Sequence, residues 1–459
     1  EKHNNILYKF QRTVVFILKS TMYVCLVATF FLIFGTEYEW IVHLSRTTGV
    51  TFVTFCVVEA ALVSVYGGYA IGRLKSKPIV TSLALATYVT DFVTHLQLCI
   101  MNVNENNNPH FVYESPHLLL LVMLIQGVLI IFFTYFGNYV YFTINPPEKC
   151  CVITSSEESL NNIMPKIRRY KKQYDVVHMI HYTSKNVFDI INDCNTVFLY
   201  DIPATEKTLL NEYCYARNKN IYFNFEMNDV VMLGARPAIL DDKPLVSAVV
   251  RDLTFEQRFV KRLMDIIISG VGLVVCGPLM LVCAAMIKAE DGGSVFFRQL
   301  RATKGGELFN VYKFRTMKEQ NSVNRSVTSD DDRITKIGKY LRKFRIDELP
   351  QLINIFKGEM SVVGPRPEMV ENVDKYTAEL PEFSYRLRVK GGLTGYAQIA
   401  GKYNTSPKDK LVLDLMYIEK YSLWLDFKLI MQTVTVLLRA GDSTKAFSKQ
   451  KNKYHFTEK

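Results

Sequence analysis

Two adjacent carboxylates, Asp347 and Glu348, stand in the segment IDELPQLINIFKGEMSVVGPRP at 346–367. Arg342, Lys343 and Arg345 precede them, and Lys357 and Arg366 follow. Acids and cations this close suit a metal-assisted reaction at a phosphate: one carboxylate attacks or takes a proton, the other holds a hard cation, and arginines clamp the phosphate oxygens. Neighbouring residues do not share a helix face, so the two acids are expected to have different partners and two roles rather than one shared proton. The plainer alternative is a helix start carrying the acids its dipole favours, with Pro350 in the first turn. The Gly-Pro-Arg-Pro turn and the flanking cations weigh towards chemistry.

None of the eight histidines falls between Arg251 and Tyr454, so chemistry in that stretch must use carboxylate, lysine, arginine, tyrosine or an oxygen-bound metal. The nine cysteines are scattered, with no CxxC and only Cys150-Cys151 adjacent, which is neither a disulfide framework nor a zinc site. The Gly305-Gly306 and Gly391-Gly392 pairs are too loose for a phosphate loop. A chain of 459 residues has room for two or three domains. Its 49% apolar content and mean hydropathy of +0.07, set beside a net charge of +11, favour a membrane over nucleic acid as the partner of the basic residues.

The elements that must position these residues change character along the chain. Apolar segments at about 13–35, 49–71, 78–101 and 116–142 each approach or exceed the roughly 20 residues that span a bilayer. Lys2, Lys9, Arg12, Arg73, Lys75 and Lys77 mark one side, and Glu37, Glu39, Glu105 and Glu114 the other, so both ends of this four-helix bundle (1–145) are expected in the cytoplasm. No cleavable signal peptide is expected, because the first apolar run leads into further spans. Lys19, Glu59, Asp91 and His95 lie within these spans and read as glue between helices. Residues 146–226 alternate short apolar runs with amphipathic stretches, the pattern of a Rossmann-like α/β domain. Its first turn, CVITSSEES, has no glycine and so offers no classical dinucleotide site. A linker is expected at 227–252.

The stretch 253–288 has about 22 apolar residues between basic ends, with Gly277-Pro278 near its middle. It reads either as a fifth span or as a re-entrant helix, about 262–287, that bends at the proline and returns to the side it came from. Lys410 to Arg439 is either core packing or an amphipathic surface helix, and the surface is preferred beside a membrane-embedded enzyme. Residues 441–459 read as a polar tail without fixed structure. The expected fold class is membrane α plus α/β, with a mostly α catalytic domain at 253–440.

Five motifs run in order through that last domain: KFRTM at 313–317, DxRIT at 331–335, DELPQL at 347–352, MSVVGPRPE at 360–368 and GLTGYAQ at 392–398. They resemble the bacterial sugar transferase family, the monotopic phosphoglycosyl transferases, over about 255–440. The whole layout is similar to its large members, the polyprenyl-phosphate hexose-1-phosphate transferases. The resemblance implies transfer of a hexose-1-phosphate from a UDP-sugar to undecaprenyl phosphate at the cytoplasmic face of a bacterial inner membrane, which starts exopolysaccharide, capsule or O-antigen synthesis. It implies Asp347 as nucleophile, Glu348 as ligand of Mg²⁺, and Arg342, Arg366, Arg315, Lys313 and Lys402 as phosphate-binding residues. It also implies Gly277-Pro278 as the break in the re-entrant helix, and a homodimer. KGGLTG lacks the family's usual proline, Tyr396 replaces a usual tryptophan, and Lys402 a frequent arginine, which loses the bidentate fork. Two rival readings are a catalytically silent scaffold or regulator of polysaccharide export, and a hydrolase that uses the same carboxylates.

Overall fold

The computed structural model describes residues 10–101, 111–248, 253–318, 333–401, 405–438 and 453–457. The chain divides into two compact units, residues 1–224 with 449–459, and residues 225–448.

The first unit begins with four long apolar helices, α1 (Gln11–Phe34), α2 (Arg46–Tyr66), α3 (Ser76–Met101) and α4 (Pro116–Ile144). Ser45 caps α2 by accepting from Thr48 N, and Gly67, at φ 99°, ends it. Met22, Leu26, Ile79, Leu83 and Ile130 share one core; Phe30, Phe55, Leu98 and Val122 share another. Phe16, Val24, Leu124 and Val128 face outward and are exposed, as suits helices surrounded by lipid.

An α/β region follows: β1 (Glu148–Thr154), α5 (Glu157–Ile167), β2 (Tyr174–His181), α6 (Val187–Asp193), β3 (Thr196–Tyr200), α7 (Ala204–Ala216) and β4 (Asn220–Phe223). Its sheet is parallel with order β2-β1-β3-β4. Cys151, Ile153, Val197 and Leu199 are buried on it, so the near-continuous apolar runs of these strands are what a sheet covered on both faces requires. The glycine-free turn after β1 is closed by Ser156, whose side chain caps α5. Five residues of the expected disordered tail, Lys453–Thr457, are ordered against this region: Tyr454 fills a pocket among Val152, Leu160, Met164 and Ile167.

The second unit holds α8 (Met227–Gly234), the antiparallel hairpin β5 (Arg236–Leu240) and β6 (Lys243–Ser247), and the long helix α9 (Phe255–Asp291). The stretch expected to be a linker holds a helix and a hairpin within its described residues, 227–248. Asp241, at φ 56°, supplies the left-handed residue of its two-residue turn. Then come β7 (Phe296–Ala302), β8 (Leu308–Phe314), α10 (Lys336–Lys343), α11 (Gln351–Lys357), β9 (Ser361–Val363), α12 (Val370–Glu379), β10 (Gly392–Thr394), α13 (Tyr396–Ala400), α14 (Pro407–Glu419) and α15 (Leu423–Leu438).

Helix α9 starts in a reciprocal cap between Thr254 and Gln257 and ends at Gly292, φ 69°. It runs through Gly277 and Pro278 without interruption, so the expected break does not end the helix. A proline removes one N–H from the ladder, and the bonds on either side hold the turn together. At roughly 1.5 Å per residue its 37 residues are about 55 Å long. Leu263, Ile267, Val271, Val275, Leu279, Val282 and Met286 recur at helical spacing and are all exposed, an uninterrupted apolar face. Its other side is core: Ile268 and Leu273 pack with Leu352 and Ile355, while Cys283 and Ile287 pack with Phe314 and Leu341. Among the described residues α9 and α1–α4 are the five helices long and apolar enough to cross a membrane.

Of the two readings of 410–439, packing wins over the preferred surface helix. Leu411, Leu415 and Ile418 form a buried stripe on α14, and Leu425 and Leu429 continue it into α15. Trp424 and Phe427, stacked with ring centroids 5.5 Å apart, remain partly exposed.

Candidate active site

Strand β8 carries Lys313, the last turn of α10 carries Arg342, and a short 3₁₀ turn, Ile346–Glu348, carries the two acids. Arg345 links α10 to that turn at φ 56°, a left-handed conformation that costs a non-glycine residue about 1 kcal/mol or more. Arg366 comes from the turn after β9. Asn354 ties α11 to β8: its Nδ2 donates to Asn310 O at 2.8 Å and its Oδ1 accepts from Tyr312 N at 3.0 Å. The GPRP turn packs on the KGGLTG segment through parallel pairing of β9 and β10. A Cβ on Gly392 would lie 2.1 Å from Gly364 N, so only glycine lets these two backbones meet.

The two acids differ sharply. Glu348 Oε1 accepts from Lys313 Nζ at 2.9 Å and from Arg366 Nη2 at 2.6 Å. Burial opposes ionisation of Glu348, but Arg366 and Lys313 outweigh it and hold the carboxyl well below its usual range. Among the described residues Asp347 makes no hydrogen bond or ion pair. Burial and the neighbouring Glu348 push its pKa up to about 6, against the pull of Lys313, Arg342 and Arg366. At neutral pH both acids are ionised. Asp347 is the more basic and the less committed.

A second layer fixes Arg366 and was not foreseen from the sequence. Arg386 Nη2 donates to Arg366 O at 2.8 Å and pairs with Asp414 at 2.8 Å. Lys410 reaches Glu368 at 3.3 Å, and Arg301 donates to Pro367 O. Burial, with Arg366 adding to it, lowers Arg301 to about 10. Burial raises Asp414 to about 6 despite Arg386. The available signal was a lone acid, Asp414, inside the apolar stripe LVLDLMY; such a residue needs a buried cation. Helix α9 is bonded to the same framework. Asp265 Oδ1 accepts from Val362 N at 2.8 Å, Lys261 pairs with Asp426 at 2.7 Å, and Arg262 donates to Ile355 O and Phe356 O at the end of α11.

The site thus gathers Asp347, Glu348, Lys313, Arg342 and Arg366. Arg315 shares no bond with them: its buried guanidinium pairs with Asp291 at the end of α9. Gly277 and Pro278 lie mid-helix, away from the acids in the chain. Lys402 lies outside the described residues. Among the described residues no group of three or more His, Cys, Asp or Glu side chains is gathered to hold a metal alone. A magnesium ion still fits the donor set. Both bonds to Glu348 fall on Oε1, and Mg²⁺ is commonly held by one or two carboxylates together with substrate phosphates.

A family model described as bacterial sugar transferase matches residues 256–440. A UDP-N-acetylgalactosamine-undecaprenyl-phosphate N-acetylgalactosaminephosphotransferase of Aeromonas hydrophila is 40% identical over 185 residues, 39% of this chain and 44% of that protein, so the likeness spans less than half of that relative. A UDP-glucose:undecaprenyl-phosphate glucose-1-phosphate transferase of Caulobacter vibrioides is 38% identical over 190 residues, 40% of this chain and 71% of that protein. The galactosyl transferase CpsE of Streptococcus agalactiae serotype III is 30% identical over 344 residues, 67% of this chain and 75% of that protein.

Proposed function

This chain belongs to the bacterial sugar transferase family, and we propose that it transfers a hexose-1-phosphate from a UDP-sugar to undecaprenyl phosphate through a phospho-sugar intermediate on Asp347. The observation that carries this reading is the inequality of the acid pair: Glu348 is fastened by Lys313 and Arg366, while Asp347 beside it has no hydrogen-bond partner among the described residues and a pKa of about 6. A tethered acid suits a fixed charge, and an unencumbered, basic one suits a nucleophile. An Asp347 oxygen attacks the β-phosphorus, the bond to the bridging oxygen breaks, and UMP leaves with the electron pair. An undecaprenyl phosphate oxygen then attacks the same phosphorus, forming the diphosphate and freeing the carboxylate. Arg366, a third exposed, keeps fork donors beyond the one on Glu348 for the phosphate oxygens. Mg²⁺ held at Glu348 would neutralise further phosphate charge.

We read α1–α4 as a transmembrane bundle (1–145), followed by a Rossmann-like domain (146–226) and the transferase domain (253–440), all after the bundle lying on the cytoplasmic face of an inner membrane. We read α9 as re-entrant. Lys261, Arg262 and Asp265 near one end and Asp291 at the other are bonded to the same unit, which supports a helix whose ends lie on one side. A homodimer and a role in starting exopolysaccharide, capsule or O-antigen synthesis complete the proposal.

The test is peptide mass spectrometry after incubating the detergent-solubilised protein with Mg²⁺ and a panel of UDP-sugars, without acceptor. A hexose-phosphate adduct on the Asp347 peptide, discharged by undecaprenyl phosphate, is the expected result. No adduct and no UMP with any donor would overturn it.

A further inference from the structure

Strand β2 is an edge of the α/β sheet, and an edge offers unpaired backbone groups to any extended chain. Here Thr457 takes them: its N donates to Met179 O at 2.7 Å, and its Oγ1 accepts from Met179 N at 3.0 Å. Three residues earlier, Asn161 of α5 reads the backbone of Tyr454 at both polar atoms. Asn161 Oδ1 accepts from Tyr454 N at 2.8 Å, and its Nδ2 donates to Tyr454 O at 3.1 Å. The Tyr454 ring is 6% exposed among Val152, Leu160, Met164 and Ile167, with the Arg168 guanidinium 4.7 Å from its centre. Phe456 sits edge-on to His181 at 5.7 Å, while His455 between them points to Glu157 near the surface. Alternate side chains go in and out, as in a peptide bound along a strand.

We propose that α5 and the outer edge of β2 form a peptide-recognition site whose ligand is the C-terminal Lys453–Thr457 segment of this same chain. The ligand is separated from the site by the whole of residues 225–448, so it is not a local finishing strand. The chain leaves the first unit at 224–225 and rejoins it through this strap. The α/β region, which has no glycine-rich nucleotide turn, gains a binding role from a different face. None of this depends on the transferase chemistry, and its test is a binding measurement.

A strap attached through its own chain acts at an effective concentration on the order of millimolar. A labelled peptide of residues 449–459 should bind saturably to a chain ending at Ser448. The intact chain should bind it roughly 100-fold more weakly if the free affinity is about 10 μM, and a Tyr454→Ala peptide at least about tenfold more weakly than the natural one. Equal binding to intact and shortened chains, or binding indifferent to Tyr454→Ala, would overturn the proposal. Should the shortened chain not fold, Asn161→Ala in the intact chain decides. It should speed proteolytic removal of the last residues several-fold, and an unchanged rate counts against the strap.

Discussion

Two acid pairs of this chain have opposite surroundings. Glu59 and Asp91, neighbours across α2 and α3, sit inside the apolar helices at 5% and 0% exposure. Thr87 Oγ1 donates to Glu59 Oε1 at 3.0 Å, Thr90, Thr94 and Gln126 are buried around them, and among the described residues no cation is bonded to either acid. Asp347 and Glu348 instead sit among Lys313, Arg342 and Arg366. Two carboxylates side by side therefore mean little until their partners are counted. Hydroxyls and amides make a link between helices, whereas cations keep negative charge alive where an anionic substrate must also be held.

The contrast can be broken at several points. The largest effect is expected for Asp347→Asn, which should cost at least about 1,000-fold in turnover while the melting temperature stays within about 2 °C, because no bond from the described residues to the carboxylate is lost. More than a tenth of the activity remaining would end its assignment as nucleophile. Glu348→Gln should leave Lys313 and Arg366 without their shared counter-charge and lower stability by about 3 kcal/mol, read from the denaturation midpoint; a loss under about 1 kcal/mol would mean the clamp is slack. Lowering pH should reduce turnover about tenfold per unit below about 6 as Asp347 protonates. Stability responds with two signs. Asp347 holds its proton more tightly folded than at its ordinary 3.8, so its protonation adds stability as pH falls from about 6 towards about 4. Glu348 holds its proton less tightly when folded, so its contribution is complete above the ordinary carboxylate range and is lost as pH falls through its low folded value. The smallest effects belong to Glu59→Gln and Asp91→Asn, expected to change turnover by less than about twofold. A collapse in either would abolish the distinction between the pairs.

Much of this was legible in the residues. Four apolar runs and the βαβ alternation are periodic signals, and they correspond to α1–α4 and the parallel sheet. Adjacency predicted different partners for Asp347 and Glu348; Lys313 and Arg366 both bond Glu348, and among the described residues no hydrogen bond reaches Asp347. What escaped depended on contacts between distant segments. Arg315 carries the same charge as Lys313 two residues before it, but it lies just past the end of β8, beside the end of α9, and meets Asp291. Arg386 and Lys261 look like ordinary surface charges until their buried counterparts, Asp414 and Asp426, are known. The docking of Tyr454 could not be read from a lysine-rich tail, because its pocket is built from residues 152–167.

Helix α9 leaves one apolar face exposed and gives the other to the packing of the transferase unit, where Leu273 and Ile287 complete separate patches of core. Under the proposed seating of that face in lipid, folding of the catalyst and arrival at a bilayer are a single event. A chain stranded in water would have to choose between exposing the helix's outer face and withdrawing its inner one, and either choice leaves the acids without their scaffold. Under the proposed function this requirement is a safeguard: sugar nucleotides in solution would meet a competent carboxylate only where a lipid acceptor is at hand, and wasteful hydrolysis would be limited by assembly itself.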